Sequence, residues 1–91
     1  MKKMPSILVV DDEASIRESL KDWLMEDGYS VALAIDGEDA ILRVEASQYD
    51  VILLDLKMPG IDGLETMRRI KKISPDSEVL MMTAYAAVDT A

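Results

Sequence analysis

The stretch VILLD, residues Val51–Asp55, decides the fold of this chain of 91 residues. Consecutive apolar residues bounded by Asp50 and by the final aspartate predict a short, fully buried strand. Such a strand belongs in the middle of a sheet that is covered on both faces. The run ILVV, residues Ile7–Val10, precedes Asp11 and Asp12 in the same way and predicts a second buried strand.

The first predicted helix follows this acid pair and ends at Gly28. Its apolar residues recur at i, i+4, i+7 and i+8 and form one stripe: Ile16, Leu20, Trp23 and Leu24. Residues 29–34 predict another strand. Asp36 is the predicted N-cap of a second helix, and the inward face of that helix consists of Ala40, Ile41 and Val44.

The second half of the chain continues this alternation. A turn is predicted at Met58-Pro59-Gly60. Asp62 and Glu65 then have the spacing of a capping pair at the start of a third helix, which Pro75 stops. The predicted inward face of this helix consists of Leu64, Met67, Ile70 and Ile73. Residues 78–82 supply a fourth strand.

Strands that alternate with helices, joined by short connections, predict an α/β fold. Right-handed crossovers then give an open parallel sheet with helices on both faces. The length allows one small domain, residues 1–91. The hydrophobic content of 49% argues against disorder. Ligands of such sheets bind at the carboxyl ends of the strands.

Three carboxylates are predicted to meet at that edge, because Asp11, Asp12 and Asp55 all follow buried strands. Taken singly, each has an ordinary explanation as a turn residue or a helix cap. Two full charges about 4 Å apart repel by about 4 kcal/mol at an effective dielectric near 20. Folding alone gives no reason to gather three of them, so the pattern predicts a divalent cation with oxygen ligands, most plausibly Mg²⁺.

A carboxylate beside a bound divalent ion is ionised and faces the phosphoryl oxygens that the metal holds. Asp55 stands apart from the acid pair and is therefore the predicted nucleophile. The expected reaction is phosphoryl transfer to Asp55, which forms an aspartyl phosphate. Thr83, at the end of the fourth predicted strand, could hydrogen-bond the new phosphoryl oxygens.

Three segments resemble the signature segments of the receiver domains of two-component response regulators. They are Val10–Glu13 (VDDE), Leu54–Gly63 (LDLKMPGIDG) and Met82–Tyr85 (MTAY), in the family's order and spacing. The resemblance implies the flavodoxin-like receiver topology with strand order 2-1-3-4.

The resemblance also implies the site and its partners. Asp11, Asp12 and Asp55 would bind Mg²⁺ through their side chains, and Lys57 would contribute its backbone carbonyl. Asp55 would accept a phosphoryl group from a sensor histidine kinase, and Thr83 would be the switch hydroxyl. The signal would pass to an output domain in the parent protein, and the chain itself would not be an enzyme.

Residues 82–91 are similar to the receivers of bacterial enhancer-binding transcriptional activators of the nitrogen-regulator type. Receivers continue through a fifth strand, with a lysine and an aromatic switch residue, and a fifth helix. The sequence ends at Ala91, and Tyr85 follows Thr83 too closely to be that aromatic. We therefore expect a C-terminally incomplete receiver whose fourth strand is an unpaired edge, which favours self-association, including a homodimer.

Composition excludes several other classes. A net charge of −8 disfavours binding to nucleic acid and to anionic membranes. The absence of cysteine excludes disulfides and thiolate metal sites. The N-terminal residues carry neither a signal peptide nor a membrane span, and a cytoplasmic location is expected.

Two alternative functions remain open. A Mg²⁺-dependent phosphohydrolase generally needs an acid two residues after its aspartate nucleophile, and Lys57 occupies that position. A pseudo-receiver would act as a binding module without phosphorylation, although its acids would then have no use. A nucleotide-binding function is disfavoured because no glycine-rich phosphate loop follows any predicted strand.

Overall fold

The computed structural model describes residues 4–55 and 63–82. Strands and helices alternate along this part of the chain, and they are β1 (Ser6–Val10), α1 (Ala14–Glu26), β2 (Ser30–Ala34), α2 (Gly37–Ala46), β3 (Val51–Asp55), α3 (Gly63–Ile73) and β4 (Glu78–Met82). None of these described helices is both long enough and apolar enough to span a bilayer.

The four strands form one parallel sheet in the order β2-β1-β3-β4. This arrangement confirms the predicted open α/β fold and the strand order 2-1-3-4. In the register between β1 and β3, Val10 lies opposite Leu54, and between β3 and β4, Asp55 lies opposite Met82. The carboxyl ends of β1, β3 and β4 therefore meet at one edge of the sheet.

The hydrophobic core lies on the sheet face that α2 and α3 cover. Its buried members come from five elements, and they are Leu8, Val10, Ala34, Ala40, Val44, Ile52, Leu54 and Ile70. Met67 and Met81 pack against this cluster. The core thus fixes β1 and β3, the two strands that end in the predicted site.

Strand β3 is fully buried on one face only. Ile52 and Leu54 have no exposed surface, whereas Val51 and Leu53, which point to the opposite face, remain partly exposed. The described residues therefore cover the second face of β3 only in part. The physical reason is that α1, the helix on that side, packs mainly against β2 and β1.

Helix α1 ends as predicted, but its apolar stripe is only partly used. Gly28 has a φ of 95°, and its N–H donates to the Met25 carbonyl, while the Tyr29 N–H donates to Leu24. This is the hydrogen-bond pattern of a glycine-terminated helix. Leu24 is half-buried, like Leu20.

The other half of the predicted stripe is exposed. Trp23 is 66% exposed and Ile16 is 38% exposed, and α1 contains no buried residue. Periodicity therefore located the stripe without revealing how much of it the sheet would cover.

Helix α2 confirms both of its predictions. The Asp36 Oδ1 accepts a hydrogen bond of 2.8 Å from the Asp39 N–H, and the Asp39 Oδ2 accepts one of 3.0 Å from the Ile35 N–H. These two hydrogen bonds cap the helix at its N-terminus. Its inward face is the predicted one, since Ala40 and Val44 are buried and Ile41 packs against the core.

The predicted inward face of α3 is wrong at two positions. Leu64 is 59% exposed and Ile73 is 40% exposed. Gly63 and Thr66 are buried instead, in line with Ile70. Apolar periodicity does not detect buried positions that are occupied by glycine and threonine. Asp62 and the predicted turn at residues 58–60 lie outside the described residues.

Strand β4 has the predicted bounds and lies at the sheet edge. Within the described ranges it pairs only with β3. Leu80 is 49% exposed, whereas Val79 and Met81 pack against the core. The expected self-association through this edge stays a prediction.

Candidate functional site

The three predicted carboxylates converge. Asp11 and Asp12 follow β1, and Asp55 is the last residue of β3. Carboxylate oxygens of the three residues lie within 4.8 Å of one another. Full charges at this separation repel by about 3 kcal/mol per pair at an effective dielectric near 20. The sheet register thus holds together groups that repel one another.

The three acids differ in their surroundings. Asp11 is buried, with 5% of its surface exposed, while Asp55 is half-buried and Asp12 is exposed. The Asp11 Oδ1 accepts a hydrogen bond of 2.9 Å from the Glu13 N–H. The Asp11 N–H donates to the Ala34 carbonyl at 3.2 Å. One side of the site is therefore fixed to the sheet, and the other side opens to solvent.

The electrostatics of the site are unfavourable to its own charges. Burial raises the pKa of Asp11, and the negative charges of Asp55, Asp12 and Glu13 raise it further. The hydrogen bond from the Glu13 N–H opposes this effect by stabilising the ionised form. A cation at this edge would relieve the repulsion among the three carboxylates. Without a cation, the other interactions of the folded state must overcome this repulsion.

We predict that Asp11→Asn stabilises the metal-free protein at neutral pH. Asparagine keeps the Oδ1 acceptor for the Glu13 N–H and removes the buried charge. Because folding raises the Asp11 pKa, the stability contributed by this group is complete below its unfolded pKa, about 3.9. That contribution is lost as the pH rises through the folded pKa. The advantage of the variant should therefore be small near pH 4 and larger at pH 7.

Urea unfolding in EDTA across this pH range measures the effect. Asp22→Asn, at an exposed position of α1, is the matched control and should not change the pH dependence in this way. Millimolar Mg²⁺ should stabilise the wild type more than Asp11→Asn. An Asp11→Asn protein less stable than wild type at pH 7 in EDTA would contradict the account of the site.

One basic residue beside the acids was not identified from the sequence. The Arg17 Nη1, in the first turns of α1, donates a hydrogen bond of 2.8 Å to the backbone carbonyl of Asp11. No sequence signal could have found this contact, since every residue carries a backbone carbonyl. Arg17 thus joins α1 to the acid pair.

Two further predicted site residues, Lys57 and Thr83, lie outside the described residues. Their roles stay predictions. The nearest described positions are Asp55 and Met82, which lie opposite each other in the β3–β4 register.

The donor set fits a hard divalent cation. Three carboxylates of different exposure offer oxygen ligands, and such ligands suit Mg²⁺ or Ca²⁺. Mg²⁺ commonly keeps several waters and uses only one or two carboxylates. The exposed side of the site, at Asp12, leaves room for that hydration.

Comparison with known proteins agrees with this geometry. The family model of the response regulator receiver domain matches residues 7–91. The chain is 46% identical over 85 residues to the transcriptional regulatory protein ZraR of Klebsiella oxytoca, which covers 93% of this chain and 19% of ZraR. It is 43% identical over 82 residues to the response regulator MprA of Mycolicibacterium vanbaalenii, covering 90% of this chain and 36% of MprA. The chain therefore spans only a minor part of the curated relatives that it matches.

The fold is also similar to solved structures of response regulators. TrrA of Thermotoga maritima, in complex with Mg²⁺ and BeF, is 44% identical, with a TM-score of 0.86 over 96% of this chain and 76% of TrrA. A second structure holds TrrA in complex with the histidine kinase ThkA, with 43% identity and a TM-score of 0.85 over 97% of this chain and 76% of TrrA. The chain belongs to the response regulator receiver domain family.

Proposed function

We propose that this chain is a phosphoacceptor domain that receives a phosphoryl group from a sensor histidine kinase on Asp55. Asp11, Asp12 and Asp55 would hold Mg²⁺ through their side chains, together with the backbone carbonyl of Lys57. The domain would pass the signal to an output domain in the parent protein. The acceptor role is that of a substrate of the kinase, and the chain would not be an enzyme in its own right.

The observation that carries this proposal is the convergence of three carboxylates within 4.8 Å at the carboxyl ends of β1 and β3. Their mutual repulsion opposes folding, and a bound cation would relieve it. The likeness to TrrA, which was solved with Mg²⁺ and BeF, supports the same conclusion.

The proposed transfer follows from the placement of Asp55. One of its carboxylate oxygens attacks the phosphorus of phosphohistidine. The new oxygen–phosphorus bond forms as the nitrogen–phosphorus bond breaks, and the electron pair of that bond returns to the imidazole. Bound Mg²⁺ would supply the positive charge that offsets the phosphoryl oxygens and the carboxylates.

The remaining residues have supporting roles in this proposal. Asp11 is held to the sheet through its N–H and to Glu13 through its Oδ1, so it can position a ligand without moving. The exposed Asp12 faces the side from which a phosphodonor would approach. Thr83 would donate its hydroxyl hydrogen to an oxygen of the phosphorylated Asp55. The hydrogen bonding of Thr83 would therefore depend on whether Asp55 is phosphorylated.

The wider setting is also a proposal. ZraR and MprA are longer than the matched region, and an output domain, transcriptional as in the name of ZraR, is proposed for the parent protein. The net charge of −8 supports a domain that does not itself bind nucleic acid or an anionic membrane. A cytoplasmic location, where a kinase would meet it, is part of the same proposal.

Phosphotransfer measured by intact mass tests this function. We expect incubation with acetyl phosphate and Mg²⁺ to add one phosphoryl group to the protein, and EDTA in excess over Mg²⁺ to prevent it. A cognate histidine kinase that carries phosphohistidine should transfer the group faster than the small donor, because docking orients the reactants.

The other outcomes identify the alternative functions. Continuous release of inorganic phosphate, through a phosphorylated aspartate that is hydrolysed too fast to accumulate, would favour a phosphohydrolase. A folded protein that binds Mg²⁺ and accepts no phosphoryl group from either donor would be a pseudo-receiver. Labelling that persists undiminished in EDTA would contradict the metal-dependent mechanism.

A further inference from the structure

The two peptide planes that flank Asp12 are each held by one hydrogen bond. In the plane before it, the carbonyl of Asp11 accepts the Arg17 Nη1 at 2.8 Å. In the plane after it, the N–H of Glu13 donates to the Asp11 Oδ1 at 2.9 Å. Because a peptide unit is planar, fixing its carbonyl or its N–H also fixes the direction of the adjoining chain.

Asp12 itself has little else to orient it. Its side chain is exposed, and no hydrogen bond or salt bridge of its carboxylate is found with any other residue in the described part of the chain. The direction of the Asp12 Cα–Cβ bond, from which its carboxylate extends, therefore depends on the two flanking peptide planes.

Arg17 is well placed to control the first of these planes. It lies in α1, whose first hydrogen bond runs from the Arg17 N–H to the Glu13 carbonyl at 3.1 Å. Its side chain is half-buried, and among the described residues its guanidinium forms no salt bridge. The positively charged guanidinium of Arg17 thus donates to the neutral carbonyl of Asp11. The charge on the donor makes this hydrogen bond stronger than one between two neutral groups.

We propose that Arg17 is a positioning residue that sets the orientation of Asp12 for divalent-cation binding. This inference rests on the proposed function, since it assumes that the three acids bind Mg²⁺. Groups that orient metal ligands from outside the coordination shell commonly change metal affinity by about 10- to 100-fold when they are lost.

The direction of the effect separates positioning from simple electrostatics. A positive charge near a cation site repels the cation, so removing Arg17 would tighten Mg²⁺ binding if its charge were all that mattered. Removing a group that orients a ligand weakens binding. Arg17→Met keeps an unbranched side chain but has no hydrogen-bond donor and no charge. For this variant, the positioning role predicts weaker Mg²⁺ binding, whereas simple electrostatics predicts tighter Mg²⁺ binding.

Titration of isotope-labelled protein with Mg²⁺, followed by the amide NMR signals of Asp12 and Glu13, measures the effect. We expect Arg17→Met to bind Mg²⁺ about tenfold more weakly than wild type. Arg17→Lys, which can still donate to the Asp11 carbonyl, should recover most of the affinity. Arg43→Met is the matched control, because Arg43 is an exposed arginine of α2 paired with Asp39, and it should leave the affinity unchanged.

Unfolding by urea in EDTA checks that each variant is folded, and Arg17→Leu, which also has no donor and no charge, replaces Arg17→Met in the same titration if the latter does not fold. Equal or tighter Mg²⁺ binding by the folded variant would overturn the positioning role while leaving the proposed function intact. A wild-type protein that binds no Mg²⁺ would instead overturn the proposed function, on which the inference rests.

Discussion

Asp55→Asn is expected to abolish phosphorylation of this protein. Asparagine is nearly isosteric with aspartate, but its neutral amide is a far weaker nucleophile than a carboxylate. The other two acids, Asp11 and Asp12, remain in place, yet both lie in the loop that follows β1 and would serve as metal ligands. We expect the phosphorylated fraction, measured by intact mass after incubation with acetyl phosphate and Mg²⁺, to fall to background.

The matched control is Asp22→Asn, on the exposed surface of α1, which should be phosphorylated at the wild-type rate. Circular dichroism of both variants establishes that they are folded. Undiminished phosphorylation of a folded Asp55→Asn protein would mean that another residue is the acceptor, and the assignment of Asp55 would then be wrong.

The largest effect on stability is expected from Leu8→Ala. Leu8 lies in β1, between β2 and β3, and has no exposed surface. Replacing such a leucine by alanine costs about 2–5 kcal/mol, because apolar contacts are lost and a cavity remains. Small domains have total stabilities of about 5–15 kcal/mol, so this one change should remove a large part of the free energy of unfolding.

Leu42→Ala is the control for this substitution, since Leu42 of α2 is 64% exposed. It should change the free energy of unfolding by no more than about 0.5 kcal/mol. Urea unfolding in EDTA, monitored by circular dichroism, compares the two variants at constant m-value. Equal unfolding midpoints for both would contradict the position of the core under α2 and α3.

The strands could be predicted from the sequence because each is a short apolar run with clear ends. β3 ends at Asp55 and β4 has its predicted bounds. Helix faces were harder to predict. Which side of a helix is buried depends on the packing around it, and in α3 the buried positions include Gly63 and Thr66, which no hydrophobic pattern marks.

The candidate site could be predicted for a topological reason. Parallel strands deliver their carboxyl ends to one edge, so acids that follow two neighbouring strands must meet, as Asp11 and Asp55 do. The differences among the acids were not predictable, because the burial of Asp11 depends on the surrounding packing. The hydrogen bond from Arg17 could not be predicted from the sequence either, since its acceptor is a backbone carbonyl.

The most direct test of the central claim is to locate the phosphoryl group on the wild-type chain. After phosphorylation with acetyl phosphate and Mg²⁺, borohydride reduces an aspartyl phosphate to homoserine, and peptide mass spectrometry identifies the residue converted. Homoserine is expected at position 55 and nowhere else, and none is expected when EDTA removes free Mg²⁺. Conversion at a different aspartate, or a phosphoryl group that resists borohydride because a hydroxyl carries it, would contradict the account.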